Sequence, residues 1–460
     1  MTRISRAYAS ASTMDDIPAL VRTLRGVRGS WLRQARASRG ESPLSGGGAE
    51  TSFLARLRIA AANFLGDRRV LWSIVGIMAI RRLVAELPVF LPPDADAYFF
   101  LVGGRQALSD PGSIYPHSAA LLAAGNPFAI LWPPPQTLMA IPFALLPPPW
   151  DVWLWVAFNA LMSAVGLYFV YRAIRPKKGY FLPLYVLCVV CFTPLFEDIR
   201  LGQRGGSLIL LAGAAMLIVR RHPVIAGALT GLGTSIKFYP AAMALAVAPR
   251  QWTRFTGALI GVASVVLLVA FIPFGSPLVY LTGVLIPAEL GATSTSNDCF
   301  QNSTSLLYSR LVGGQAISFG NDSGIWTTVT LVPWHLPLLA QALTYLTIGA
   351  LIVGSIWAAR QSGWAQPFSM SLAFSLGALV PGEAFTYQFI ALLPLTLVLV
   401  LKAIERQRWM TVGLVATCCW ILLSSPCALA LPSLWTIAGL FIFGASVAEA
   451  RLFQGSSQAP

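Results

Sequence analysis

The chain alternates long apolar runs with short polar joints. Apolar segments fall at 70–91, 150–172, 180–196, 206–220, 223–236, 239–249, 255–274, 331–357, 366–381, 385–401, 410–425 and 430–449, about twelve in all. A helix that crosses the hydrocarbon core of a bilayer needs about 20 residues. The pair 223–236 and 239–249 is too short for two crossings. It reads as two broken helices meeting at Lys237-Phe238-Tyr239-Pro240, the kind of junction that lines a cavity at membrane depth. Two long polar stretches, about 92–149 and 275–330, interrupt the pattern. The first holds the run Ala97 to Leu108, predicted as a helix, and the proline-rich apolar piece Phe128 to Pro147, predicted to lie on the surface or re-enter without crossing.

Composition confirms the class. Of 460 residues, 56% are hydrophobic and 11% charged, against about 25% charged in a soluble domain. The pattern predicts an all-α polytopic membrane protein. The net charge of +14 does not indicate nucleic acid, because twelve of the 32 basic residues precede residue 70 and most others sit at the ends of apolar runs. That distribution follows the positive-inside rule. Residues 1–65 read as a disordered basic cytoplasmic arm, 66–450 as the membrane domain, and 451–460 as a cytoplasmic tail.

Sides follow from the same rule. With both termini inside, Arg172 to Lys178, Arg220, Arg221, Arg250, Arg254, Arg360, Lys402, Arg406, Arg408 and Arg451 all fall on the cytoplasmic face. Few basic residues then remain outside: Arg105, Arg200, Arg204, Lys237 and Arg310. The acids gather there: Asp94, Asp96, Asp110, Asp151, Glu197, Asp198, Glu289, Asp298, Asp322 and Glu383. The polar chemistry is therefore expected on the extracytoplasmic side.

Within that set Asp94 and Asp96 are conspicuous, since carboxylates at a bilayer edge are costly. Either residue suits the N-cap of the following helix. A carboxylate there also stays ionised and is able to accept a proton from a hydroxyl nucleophile. Lys237, buried in apolar sequence, calls for an anionic partner such as a lipid phosphate. Arg310 follows an amide- and hydroxyl-rich loop, Phe300 to Ser309, and Arg204 follows Gly202-Gln203. Tyr98, Tyr115, Trp132 and Tyr239 lie near these positions, where an aromatic face can stack on a sugar, although most such rings form interfacial belts. Six cysteines, with Cys188 and Cys191 at C-x-x-C spacing inside an apolar run, and three histidines offer no metal-ligand pattern. No metal or cofactor is expected.

These pieces, in order, resemble glycosyltransferase family 87. The elements are Asp96-Ala-Tyr98 after the first helix, Gly112 to Tyr115, Trp132 to Pro134, Gly202-Gln203 and Lys237 to Pro240, within a resemblance spanning roughly 70–405. This GT-C-type family includes PimE-like polyprenyl-phosphate-mannose-dependent α-mannosyltransferases of actinobacteria. The resemblance implies a GT-C fold with a long first external loop carrying juxtamembrane helices. It also implies a bacterial cytoplasmic-membrane enzyme whose partners are a polyprenyl-phosphate sugar donor, a glycolipid or lipoglycan acceptor and membrane lipids. Asp96 takes the part of the catalytic base and Asp94 is its fallback. Lys237, Arg310 and Arg204 would hold the donor phosphate. Tyr98, Trp132, Gln203, Tyr239, Gln301, Asn302, Glu383, Tyr387 and Gln388 would contact sugar or acceptor. Two departures stand out. The family's Asn-Gln-Ser reads Gln301-Asn302-Ser303 here, and the late histidine element is replaced by Pro381 to Gln388. A polyprenyl-phosphate-dependent arabinofuranosyltransferase and a lipid or sugar flippase are the competing readings.

Overall fold

The computed structural model describes residues 67–86, 95–124, 129–175, 181–289, 302–320, 326–381, 384–423 and 433–454. The basic arm over 1–65, most of the expected tail at 451–460, and Asp94, Gln301 and Glu383 lie outside them. For Asp96 the description is of the backbone only.

The described chain is almost entirely helical. It begins with α1 (Arg68–Glu86) and then a group of shorter helices, α2 (Ala95–Ser109), α3 (Ile114–Ala123) and α4 (Pro134–Ala144). Next come α5 (Trp150–Ile174), α6 (Phe181–Val190), α7 (Thr193–Arg200), α8 (Gly205–Ile218) and α9 (Pro223–Ile236). A 3-10 turn at Tyr239–Ala246 leads to α10 (Pro249–Phe271), and after it comes α11 (Thr304–Leu311). The later helices are α12 (Pro337–Gln361), α13 (Gln366–Phe374), α14 (Leu393–Glu405), α15 (Trp409–Leu423) and α16 (Leu434–Ala448).

Against about twelve expected spans, four helical segments among the described residues are long and apolar enough to cross a membrane: Trp150–Ile174, Pro249–Phe271, Pro337–Gln361 and Thr386–Glu405. A fifth appears if α6 and α7, bent by 55°, count as one span. The other apolar helices are 10–17 residues long. The physical reason is punctuation. Pro194, Pro223, Pro240 and Pro249 each remove a backbone donor and interrupt the ladder, so apolar runs become helical pieces. The segment expected as a short helix over 239–249 is such a piece, a 3-10 turn rather than an α-helix.

The piece Phe128 to Pro147 forms α4, 11 residues long. At 1.5 Å per residue it reaches about 17 Å, far less than a bilayer core. It lies against α2, where a Cβ at Gly104 would stand 3.1 Å from Ala144 Cβ. α2 starts two residues earlier than expected. Asp96 is therefore its second residue and not its N-cap. The region 275–330, expected as a loop, contains helical turns over 277–289, α11 and an antiparallel ribbon. In that ribbon Ile317–Gly320 pairs with Trp326–Val329.

Thr386–Glu405 is the central span. Its most apolar window is 83% buried, whereas those of α5, α10 and α12 are 28–33% buried. The three long helices therefore turn most of their surface outward, toward lipid in a membrane. Glycine sets the tight crossings. An added Cβ at Gly166 of α5 would strike the backbone of Leu210 in α8, and one at Gly227 of α9 would strike the carbonyl of Phe255 in α10. Gly231, one turn on, meets Leu259 in the same way. Small residues spaced by four let helix backbones touch in lipid, where packing rather than hydrophobicity drives association.

Candidate active site

The site grows from the joint between α7 and α8. The residue at the N-cap position of α8, Arg204, supplies no capping bond from its side chain. Asp198, 1% exposed, does so from the preceding helix. Its Oδ1 accepts from the Gly205 N–H at 3.0 Å and its Oδ2 from the Gly206 N–H at 3.2 Å. A carboxylate on the first N–H groups of a helix is favoured by both hydrogen bonding and the helix dipole. Gly205 is required by this contact, because a Cβ there would strike Asp198 Oδ1, while a Cβ at Gly206 would strike Ser163 Oγ in α5.

Arg204 is fully buried. Its guanidinium lies 3.2 Å from the ring centroid of Trp155 and 5.1 Å from that of Phe100. One nitrogen donates to the Gln136 carbonyl at 3.2 Å, while Nε and Nη1 have no hydrogen-bond partner among the described residues. Gly202, two residues earlier, has φ +62°. Its carbonyl accepts from Trp155 Nε1 at 2.9 Å. An added Cβ there would stand 2.9 Å from Ala97 Cβ. The Gly202–Arg204 turn is thus packed against the first turn of α2. That is the turn to which Asp96 belongs, one residue before Ala97 and one helical turn before Phe100.

Lys237 enters from the break after α9. Its Nζ lies 5.0 Å from the centre of the Tyr387 ring. Its backbone N–H donates to the Gly233 carbonyl at 3.0 Å, whereas its ammonium makes no hydrogen bond or ion pair among the described residues. Asp198 and Arg204 are both close enough to act on it electrostatically. Burial pushes the Lys237 ammonium down to about 8; Asp198 opposes that fall and Arg204 adds to it. Tyr239 packs against Phe374 with ring centroids 5.3 Å apart, and Tyr387 stacks on Phe385. The next residue, Gln388, has a buried Oε1 with no hydrogen-bond partner among the described residues. The structure therefore brings Arg204, Lys237, Tyr239 and Tyr387 around Asp198.

Other expected residues are held elsewhere or differently. Asn302 donates its N–H to Ala384 at 2.6 Å, and Thr304 bonds Leu379, which ties that segment to the chain leading into Tyr387. Arg310, at the far end of α11, donates to Ser433 Oγ at 3.2 Å. The Trp132 ring packs on Phe99 and Phe100, and its Nε1 donates to Thr137 at 3.0 Å. Tyr115 is buried among Phe271, Phe274 and Tyr280, so its face is not open to a sugar. Tyr98 is 38% exposed, and Gln203 is buried beside Arg204. Arg105 and Asp151, expected on the same face, form an ion pair.

Asp198 was not singled out by its sequence context, where it is one of ten outer acids. The signal was present in its spacing. An acid seven residues before a Gly-Gly helix start is within reach of that start when the intervening joint is tight.

The structure is that of a polytopic helical protein that gathers two cations and two tyrosines around a buried carboxylate. The profile of glycosyltransferase family 87 matches residues 131–381, more than half of the chain. The chain belongs to that family and is a membrane glycosyltransferase. The match takes in Trp132, Gln203, Arg204, Lys237, Tyr239, Asn302 and Arg310, while Asp96, Tyr98 and the 383–388 segment fall outside it. Neither a curated protein nor a solved structure matches the chain.

Proposed function

We propose that the enzyme transfers a mannosyl residue from a polyprenyl-phosphate sugar to a glycolipid or lipoglycan acceptor on the extracytoplasmic face of a bacterial cytoplasmic membrane, with both termini inside. The observation that carries this reading is a pair of cations, Arg204 at the α7–α8 joint and Lys237 at the break after α9. Arg204 is fully buried with two nitrogens lacking a hydrogen bond among the described residues, and Lys237 stands beside it without an ion pair there. The neighbouring carboxylate, Asp198, is already engaged by two backbone N–H groups. Charge so poorly compensated in an apolar bundle calls for an anion, and the phosphodiester of a lipid-linked sugar supplies one.

The chemistry is a single displacement. An acceptor oxygen attacks the anomeric carbon as the bond from that carbon to the phosphate oxygen breaks. The electron pair leaves with the polyprenyl phosphate, and the hydroxyl proton passes to Asp96. A β-linked donor gives an α-linked product. Lys237 and Arg204 act where charge grows on the leaving phosphate, the position at which preorganised cations lower a barrier most. Arg310 is the further candidate donor-phosphate contact. Tyr239, Tyr387, Gln388, Gln203 and Asn302, with Tyr98, Trp132, Gln301 and Glu383, are the candidate sugar and acceptor contacts.

The experiment is a donor panel. Purified full-length protein in vesicles receives polyprenyl-phosphate-mannose or polyprenyl-phosphate-arabinofuranose together with glycolipid acceptors. The expected result is incorporation of mannose in α linkage. Incorporation of arabinose alone would reassign the donor, and movement of lipid across the bilayer without transfer would replace the reading with a flippase.

A further inference from the structure

At the opposite end of α8, 14 residues and about 21 Å along the helix axis from Arg204, lies a cavity of about 800 Å³. Its walls include Arg220, Arg250, Gln251, Trp364 and Gln366, and no acidic side chain is among them. Two helix starts converge on it. α10 begins at Pro249 and α13 at Gln366, and neither has a side-chain cap on its first N–H groups. The first turn of a helix so left carries partial positive charge that suits an anion. A helix start alone would decide nothing. Here Gln366 lines the cavity, is 2% exposed, and has an Oε1 with no hydrogen-bond partner among the described residues. A buried carboxamide left without a partner is costly, so its presence points to a ligand that donates a hydrogen bond.

The remaining walls are built to hold their shape. Gln251 Nε2 donates to the Arg220 carbonyl at 3.0 Å, joining the start of α10 to the end of α8. Trp364 adopts φ +57°, a left-handed backbone held by its N–H on the Ala359 carbonyl at 2.8 Å. Burial and then the nearby Arg175 push the Arg220 guanidinium down. Arg175 therefore stands close enough to Arg220 for the two charges to interact.

We infer that this cavity is a binding site for the headgroup of an anionic membrane phospholipid. The phosphodiester would lie between Arg220 and Arg250 at the start of α10, and a headgroup hydroxyl would donate to Gln366. A phosphoglycerol headgroup has both features. Basic pockets between membrane helices bind such headgroups, and Trp364 suits the interfacial depth. The site is separate from the transferase chemistry at the other end of α8 and does not depend on that reading.

The test uses the full-length protein in neutral detergent, titrated with short-chain phosphatidylglycerol, phosphatidylmethanol, phosphatidylcholine and inorganic phosphate. Phosphatidylmethanol carries the same charge as phosphatidylglycerol but lacks the glycerol hydroxyls. The expected order of affinity is phosphatidylglycerol, then phosphatidylmethanol, then phosphatidylcholine. Arg220→Ala combined with Arg250→Ala weakens both anionic lipids by about 30-fold. Gln366→Leu leaves phosphatidylmethanol binding intact and removes the preference for phosphatidylglycerol, a readout that survives if the double variant folds poorly. Equal binding of phosphatidylglycerol and phosphatidylmethanol by the unaltered protein would overturn the hydroxyl contact. Inorganic phosphate binding as tightly as the lipid would overturn the lipid assignment. Unchanged lipid affinity in the folded double variant would overturn the site.

Discussion

Asp96→Asn lowers sugar transfer by about 10²–10⁴-fold, the range that one positioned general base contributes. The substitution keeps the size and shape of the side chain and removes its ability to take the acceptor proton. Donor binding is expected to be nearly unchanged, because the cations proposed to hold the phosphate, Arg204 and Lys237, lie on other elements. The loss thus falls on kcat rather than on KM for the donor. Asp94→Asn, at the residue before α2, has a much smaller effect. The structural basis is the packing of the first turn of α2 on Gly202. That contact brings the backbone at Asp96 to the turn bearing Arg204. Transfer at near the unaltered rate in Asp96→Asn would remove this residue from the mechanism.

Asp198→Ala gives the largest expected loss of stability. Its carboxylate is buried and accepts from two backbone N–H groups at the start of α8. Removing both acceptors strands those donors and leaves Arg204 and Lys237 without their nearest opposite charge. Each charge-assisted hydrogen bond is worth about 1.5–3 kcal/mol, and adjacent losses overlap, so a cost of about 2–4 kcal/mol follows. The measurement is the midpoint of thermal inactivation in detergent. Asp198→Asn, which keeps one acceptor oxygen, loses less than Asp198→Ala. An alanine variant as heat-resistant as the unaltered protein would show that α8 does not depend on this cap.

Much of the frame was legible in the chain because proline and charge mark its joints. The 223–236 helix was read with the boundaries that the structure gives it, set by Pro223 at one end and Lys237 at the other. Lys237 was legible as a cation in apolar sequence that calls for an anionic partner, and Arg204 entered as a donor-phosphate contact through the family resemblance. Less legible was what depends on contacts between elements. Tyr115 lies among Phe271, Phe274 and Tyr280, and the Trp132 ring packs on Phe99 and Phe100. Asp198 looked like one acid among many, because only the fold of the α7–α8 joint carries it to the helix start. The ribbon after α11 has its own signal, Asn-Asp-Ser-Gly at 321–324 ahead of the β-branched run Ile325 to Thr330.

That the donor phosphodiester is held by Arg204, at the α7–α8 joint, and Lys237, at the break after α9, is the point on which the proposed function turns. It is tested most directly by the affinity of a non-transferable polyprenyl-phosphate sugar analogue measured from pH 6 to 10. The phosphodiester does not titrate in this range, so a change in affinity reports the protein. Lys237, held at about 8 by burial, is charged below that pH and neutral above it. The account predicts tight binding at pH 7 that weakens as pH rises through about 8. It further predicts that Lys237→Gln binds about 10-fold more weakly at pH 7 and loses the pH dependence. Affinity that is flat across the range, or unaltered in Lys237→Gln, would contradict it.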